Sequence, residues 1–85
     1  MSSKVGYHLK EISKGVYGDL SKIKEEYEEF LDSLEQQNPI LSLVELSDLI
    51  GAIEGYVKKN FNLTLPNLID MSHATKRAFE SGERK

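Results

Sequence analysis

Residues 40–60 carry apolar side chains at nearly every angular position of a helix: Leu41, Leu43, Val44, Leu46, Leu49, Ile50, Ala52, Ile53, Tyr56 and Val57. A helix apolar on all sides must be surrounded, so this segment is predicted to be the buried central helix of an all-α fold. Within it stand two acids three residues apart, Glu45 and Asp48. An ionised carboxylate in such surroundings is costly unless a cation or a hydrogen-bond donor compensates it.

A second pair with the same spacing, Glu26 and Glu29, lies in the run Glu25-Glu26-Tyr27-Glu28-Glu29. That run falls in a segment predicted to be helical over residues 20–37, with Asp19 as its N-cap and a stripe of Leu20, Ile23, Tyr27, Phe30, Leu31 and Leu34. At about 100° per residue, Glu26 sits at the margin of the stripe with Glu29 further round, beside Lys22 and Ser33. Glu25, Glu28 and Asp32 are expected to be solvated. Positions i and i+3 share a helix face, so each pair can present two carboxylates to one point. Four carboxylates from two helices make an oxygen-rich site for a hard cation, Mg²⁺ with Mn²⁺ as a substitute; without a cation they repel one another and some pKa values rise. The competing reading is a buried salt network closed by lysine or arginine.

Pro39 suits the first position of the central helix, after the turn Gln36-Gln37-Asn38. A last helix is predicted over residues 65–81, with Thr64 as cap, Pro66 in its first turn and Gly82 at its end. A short N-terminal helical segment, residues 7–13, is read from Leu9 and Ile12. Gly51 and Gly55 cost roughly 1 kcal/mol each in helix propensity and are expected to admit a close helix neighbour. The fold class is therefore a compact antiparallel helical bundle, three main helices plus the short first segment, forming one domain over residues 1–85. Residues 1–5 and 83–85 are expected to be flexible.

A chain of 85 residues without cysteine has no disulfide and a marginal core, and association with a second copy is its most available source of buried area. The start of the chain lacks an apolar signal region and no run reaches the ~20 apolar residues that span a bilayer, so a cytoplasmic protein with no membrane partner is expected. A net charge of −3 and the lack of a basic stripe with interleaved aromatics argue against a nucleic-acid partner. Lys76, then Lys22, then Arg77 are the cations expected to meet the far end of a polyphosphate. His8 and His73 are expected to be surface or capping residues, and Tyr7, Tyr17 and Tyr56 to serve in packing.

Glu25-Glu26-Tyr27-Glu28-Glu29 followed by Glu45-Leu-Ser-Asp48 resembles the EExxE and ExxD signature of the MazG-like all-α nucleoside triphosphate pyrophosphatases. The lead-in Lys14-Gly15-Val-Tyr-Gly18-Asp-Leu-Ser-Lys22-Ile and the segment Thr75-Lys76-Arg77-Ala-Phe79 are similar to small phage and bacterial members. The resemblance implies that Glu26, Glu29, Glu45 and Asp48 are Mg²⁺ ligands. It makes Glu25 an accessory catalytic residue that orients a water or a second metal. It also implies a homodimer or higher homo-oligomer that cleaves a nucleoside triphosphate between the α- and β-phosphates to a monophosphate and pyrophosphate. Phosphoribosyl-ATP and dUTP are alternative substrates of such a fold. A non-catalytic helical module that binds a nucleotide or a protein is the rival from another class. The chain is shorter than many of these proteins, and Glu25 with Glu28 shares the spacing of Glu26 with Glu29.

Overall fold

A computed structural model of the chain describes residues 8–82. It contains α1 (Leu20–Glu35), α2 (Pro39–Phe61) and α3 (Leu65–Ser81), and no strand occurs among the described residues. No helix among them is long and apolar enough to cross a membrane. Tyr7 and the tails at residues 1–5 and 83–85 lie outside the described residues.

The helix boundaries follow local chemistry. Asn38 accepts the Leu41 amide at 3.1 Å and Pro39 opens α2, where a missing N–H costs nothing. Thr64 and Asn67 form a reciprocal capping box on α3, and Gly82 closes that helix in the left-handed region. Asp19 occupies the N-cap of α1 but makes no capping bond; its carboxylate pairs instead with Lys59 Nζ at 2.8 Å. That pair, with the Asn60 side-chain amide donating to the Gly18 carbonyl at 3.2 Å, brings the start of α1 to the end of α2. At the other end Ser33 and Ser42 share a hydrogen bond of 2.8 Å beside the turn. The two helices are thus an antiparallel hairpin, and α3 packs on α2 alone.

The predicted first helix does not form. Residues 8–16 are a non-helical strap running antiparallel along α1, because the strap's amides are claimed by α1 side chains rather than by a helical ladder. The Leu9 amide donates to both Asp32 oxygens at 3.0 and 2.9 Å, the Gly15 amide to Glu25 Oε1 at 2.8 Å and the Val16 amide to Ser21 Oγ at 3.0 Å. Gly15 lies so close to the backbone of Ser21 and Lys22 that a β-carbon would overlap it. Gly55 is likewise covered, by the Tyr17 ring rather than by a helix, while Gly51 faces open space. Tyr56 meets Phe61 edge-on at 6.0 Å.

Which faces are buried is the main departure from the amphipathic pattern. The buried residues of α1 are Glu25, Glu26, Glu29, Asp32 and Ser33, lying opposite the apolar stripe, whose Leu20, Tyr27 and Leu34 are exposed. α2 buries Ala52 and Val57 but leaves Leu43, Val44, Leu46 and Ile50 exposed, so it is not enclosed. α3 buries no residue. The radius of gyration, 14.9 Å, exceeds the roughly 12 Å of a compact chain of this length, so the three helices make an open bundle instead of the compact one expected. The cause is the small number of neighbours: α2 has α1 on one flank and α3 on another, and among the described residues Leu43 and Leu46 stay exposed, while Ile50 borders a separate apolar pocket against Leu65, Leu68 and Ile69 of α3. Phe30, Leu34, Pro39, Leu43 and Leu46 line an apolar groove of about 640 Å³.

Candidate metal centre

The polar seam of the hairpin gathers the acids. Antiparallel pairing that sets Ser33 beside Ser42 also sets Glu29 beside Glu45 and Glu26 beside Glu45 and Asp48. One oxygen from each of Glu26, Glu45 and Asp48 lies within 4.8 Å of the others, and the same holds for Glu25, Glu26 and Glu29. Glu26 belongs to both groups, with Glu45 and Asp48 in one and with Glu25 and Glu29 in the other; no group holds all four expected ligands, and Glu28 is outside both. Glu29 and Glu45 are 2 and 3 % exposed, whereas Asp48 stands at the open rim.

Glu25 and Asp32 are buried, not solvated as expected, because both accept hydrogen bonds from the strap. Burial opposes the ionised form of Glu25, but the Gly15 amide and Lys22 outweigh it and hold the carboxyl below its ordinary value. Asp32 is also held low: burial works against its charge, and the Leu9 amide, Gln36 and His8 overcome it. His8 is buried rather than at the surface, with Nδ1 3.2 Å from Asp32 Oδ2 and Nε2 3.7 Å from Glu29 Oε1. Sequence reasoning missed this because the contact joins residues 24 apart, with no local periodicity to announce it.

Lys22 is the basic residue that reaches the cluster. Its ammonium lies 3.0 Å from Glu25 Oε1 and 3.1 Å from Glu26 Oε2. Burial disfavours its charge, yet these two carboxylates raise its pKa above that of an ordinary lysine. Lys76 is not brought to the carboxylates: it is exposed on α3 and faces Glu80 at 4.0 Å. Arg77 and His73 are exposed on the same helix.

The seam is not internally balanced. Burial, and then the charges of Glu29, Asp48 and Glu26, push Glu45 up from 4.5 to about 7, with Glu29 within hydrogen-bonding reach to share its proton. Glu26 is raised too, chiefly by burial, with Glu29 and Glu25 adding to it against the pull of Lys22. Among the described residues, Glu26 Oε1 and Glu45 Oε1 are the buried side-chain oxygens that have no hydrogen-bond partner. Orphaned buried carboxylate oxygens on facing helices, close to a third carboxylate that opens to solvent, fit the donor set of a hard divalent cation. Comparison with protein-family models, curated proteins and solved structures finds no match to this chain.

Proposed function

We propose that this chain is a Mg²⁺-dependent nucleotide pyrophosphohydrolase of MazG-like type, acting on a nucleoside triphosphate between its α- and β-phosphates. The observation that carries the reading is the convergence of Glu26, Glu45 and Asp48 with two buried oxygens left unpaired. Glu26, Glu29, Glu45 and Asp48 would hold the cation. Bound there, Mg²⁺ supplies charge neutralisation for polyphosphate oxygens and a lowered pKa for an attacking water. Glu45, pushed up to about 7, would give up its proton when a cation is bound. Glu25, fixed by Gly15 and Lys22, keeps its charge beside that seam and holds the strap in place. Lys22 offsets part of the negative field on the side of Glu25 and Glu26, where a phosphate would otherwise be repelled.

The working form is a homo-oligomer. The exposed apolar side chains of α1 and α2 and an α3 without a buried residue leave apolar surface uncovered, and a second copy would cover it. Lys76 and Arg77, exposed on α3, would meet substrate phosphates held by the acids of the second copy.

The test offers purified protein a panel of standard and modified (d)NTPs with Mg²⁺ and follows the phosphate products. Release of pyrophosphate is expected, and its loss in Glu45→Gln and Asp48→Asn with helicity intact. No pyrophosphate from any substrate overturns the reading. The distance of Lys76 from the acids in the protomer favours one rival, a helical module that binds without turnover. Calorimetry showing metal-dependent nucleotide binding with no product would establish it.

A further inference from the structure

His8 is the buried polar group that the four-carboxylate reading leaves without a task. It is 8 % exposed and is carried by the strap, not by a helix. Its Nδ1 lies 3.2 Å from Asp32 Oδ2. Asp32 is itself immobile, fully buried and accepting from the Leu9 amide at 3.0 and 2.9 Å and from Gln36 Nε2 at 2.9 Å. A carboxylate so fixed sets the orientation of the imidazole rather than following it.

That orientation turns Nε2 toward the seam, 3.7 Å from Glu29 Oε1. The separation is longer than a hydrogen bond, but it suits two donors sharing one ion. One donor atom from each of His8, Glu29 and Glu45 lies within 4.8 Å of the others. Around a cation with bonds of about 2.1 Å, neighbouring donors stand ~3 Å apart and opposed ones ~4.2 Å, so small side-chain movements would close this set. Glu45 Oε1, buried and unpaired, is available to it. An imidazole whose Nδ1 faces a carboxylate and whose Nε2 faces an ion is the usual carboxylate–histidine–metal arrangement.

We propose that His8 is a nitrogen ligand in a second, mixed subsite with Glu29 and Glu45, and that Asp32 is the positioning residue that presents Nε2 to it. The inference rests on the reading of the seam as a divalent-cation site. It divides that seam by chemistry. Glu26, Glu45 and Asp48 offer oxygen alone and suit Mg²⁺, whereas the His8 pole suits a first-row ion that accepts imidazole, such as Mn²⁺.

Mn²⁺ is added to the full chain and the bound ion is examined by pulsed electron paramagnetic resonance, with affinities measured by calorimetry. Wild type should show ¹⁴N modulation from a directly coordinated imidazole, and His8→Gln should lose it. His8→Gln and Asp32→Asn should each weaken Mn²⁺ binding by about 10–100-fold, while His8→Gln changes Mg²⁺ affinity by less than about threefold. Bound Mn²⁺ without ¹⁴N coupling in wild type overturns the role of His8 and leaves the carboxylate site standing. Equal losses of Mg²⁺ and Mn²⁺ affinity in His8→Gln would also overturn it, reducing His8 to structural support. If wild type binds no Mn²⁺ at millimolar concentration, this inference and the reading beneath it both fall. The wild-type spectrum decides even where a variant does not fold.

Discussion

Replacing Glu45 with Gln should make the metal-free protein more stable at pH 8 and the metal-loaded protein less stable than wild type. Glu45 is raised from 4.5 to about 7 by burial and by Glu29, Asp48 and Glu26, a displacement corresponding to about 3 kcal/mol against its ionised form in the folded chain. Between about 4.5 and 7 the folded state binds more protons at this position than the unfolded state. The contribution is therefore fully present below pH 4.5 and is lost as the pH rises through 7. Glu26, also raised, acts in the same direction. Glu25 and Asp32 are lowered, so their contributions disappear only as the pH falls below the ordinary carboxylate range.

The amide introduced by Glu45→Gln keeps the shape of the carboxyl, offers Glu29 a donor where the shared proton stood, and cannot ionise. In chelator at pH 8 the variant should recover a large part of the ~3 kcal/mol, with each 1 kcal/mol raising Tm by about 4–8 °C in a domain of this size. Between pH 5 and 8 the stability of wild type should fall and that of the variant should stay flatter. With Mg²⁺ at about 1,000 times its Kd, wild type gains about 4.1 kcal/mol and the variant little, so their order reverses. Thermal melts at one protein concentration, in chelator and in Mg²⁺, read all of this. A Glu45→Gln variant no more stable than wild type in chelator at pH 8 would show that the acids do not press on one another as the seam requires.

Lys22→Met leaves Glu25 and Glu26 without their shared cation, and should cost about 1 kcal/mol at pH 8 by denaturant titration while lowering kcat. Leu43→Glu or Leu46→Glu places a charge on the uncovered stripe and should shift the sedimentation of the protein toward the monomer with little loss of helicity. Lys76→Ala should lower kcat by about tenfold or more with Mg²⁺ affinity unchanged, since Lys76 stands apart from the carboxylates.

The helices and the seam were legible for physical reasons that are local. Asn38-Pro39, Thr64 with Asn67, and Gly82 mark ends that depend on a few neighbouring residues. The i and i+3 spacing of Glu26 with Glu29 and of Glu45 with Asp48 survives any packing of two facing helices. What the pattern concealed depends on distant residues. Leu9 and Ile12 have helical spacing, but Asp32 and Glu25 take the amides a helix would need. His8 has no neighbour in sequence that points to Asp32. The exposure of Leu20, Tyr27 and Leu34 on the amphipathic stripe of α1 was not legible, because a hydrophobic pattern does not state which face the rest of the chain covers.

That inversion links the seam to the outer surface. α1 and α2 set carboxylates and serines against each other and leave Leu34, Leu43 and Leu46 exposed, so the acids at their contact repel one another. The Lys59–Asp19 ion pair restrains one end and the Ser33–Ser42 bond the other, leaving the acids between two pins. A second copy against the outer stripe would hold the same two helices from behind without touching the seam. Oligomerisation would then supply the apolar burial that an acidic hairpin lacks. It would preorganise the carboxylates at a spacing that a lone hairpin could relax by opening. On this reading, Leu46→Glu should weaken Mg²⁺ binding as well as assembly, although Leu46 lines the apolar groove and belongs to none of the carboxylate groups. Unchanged Mg²⁺ affinity in a monomeric Leu46→Glu variant would separate the two and show that Lys22, the strap and the turn suffice to hold the acids together.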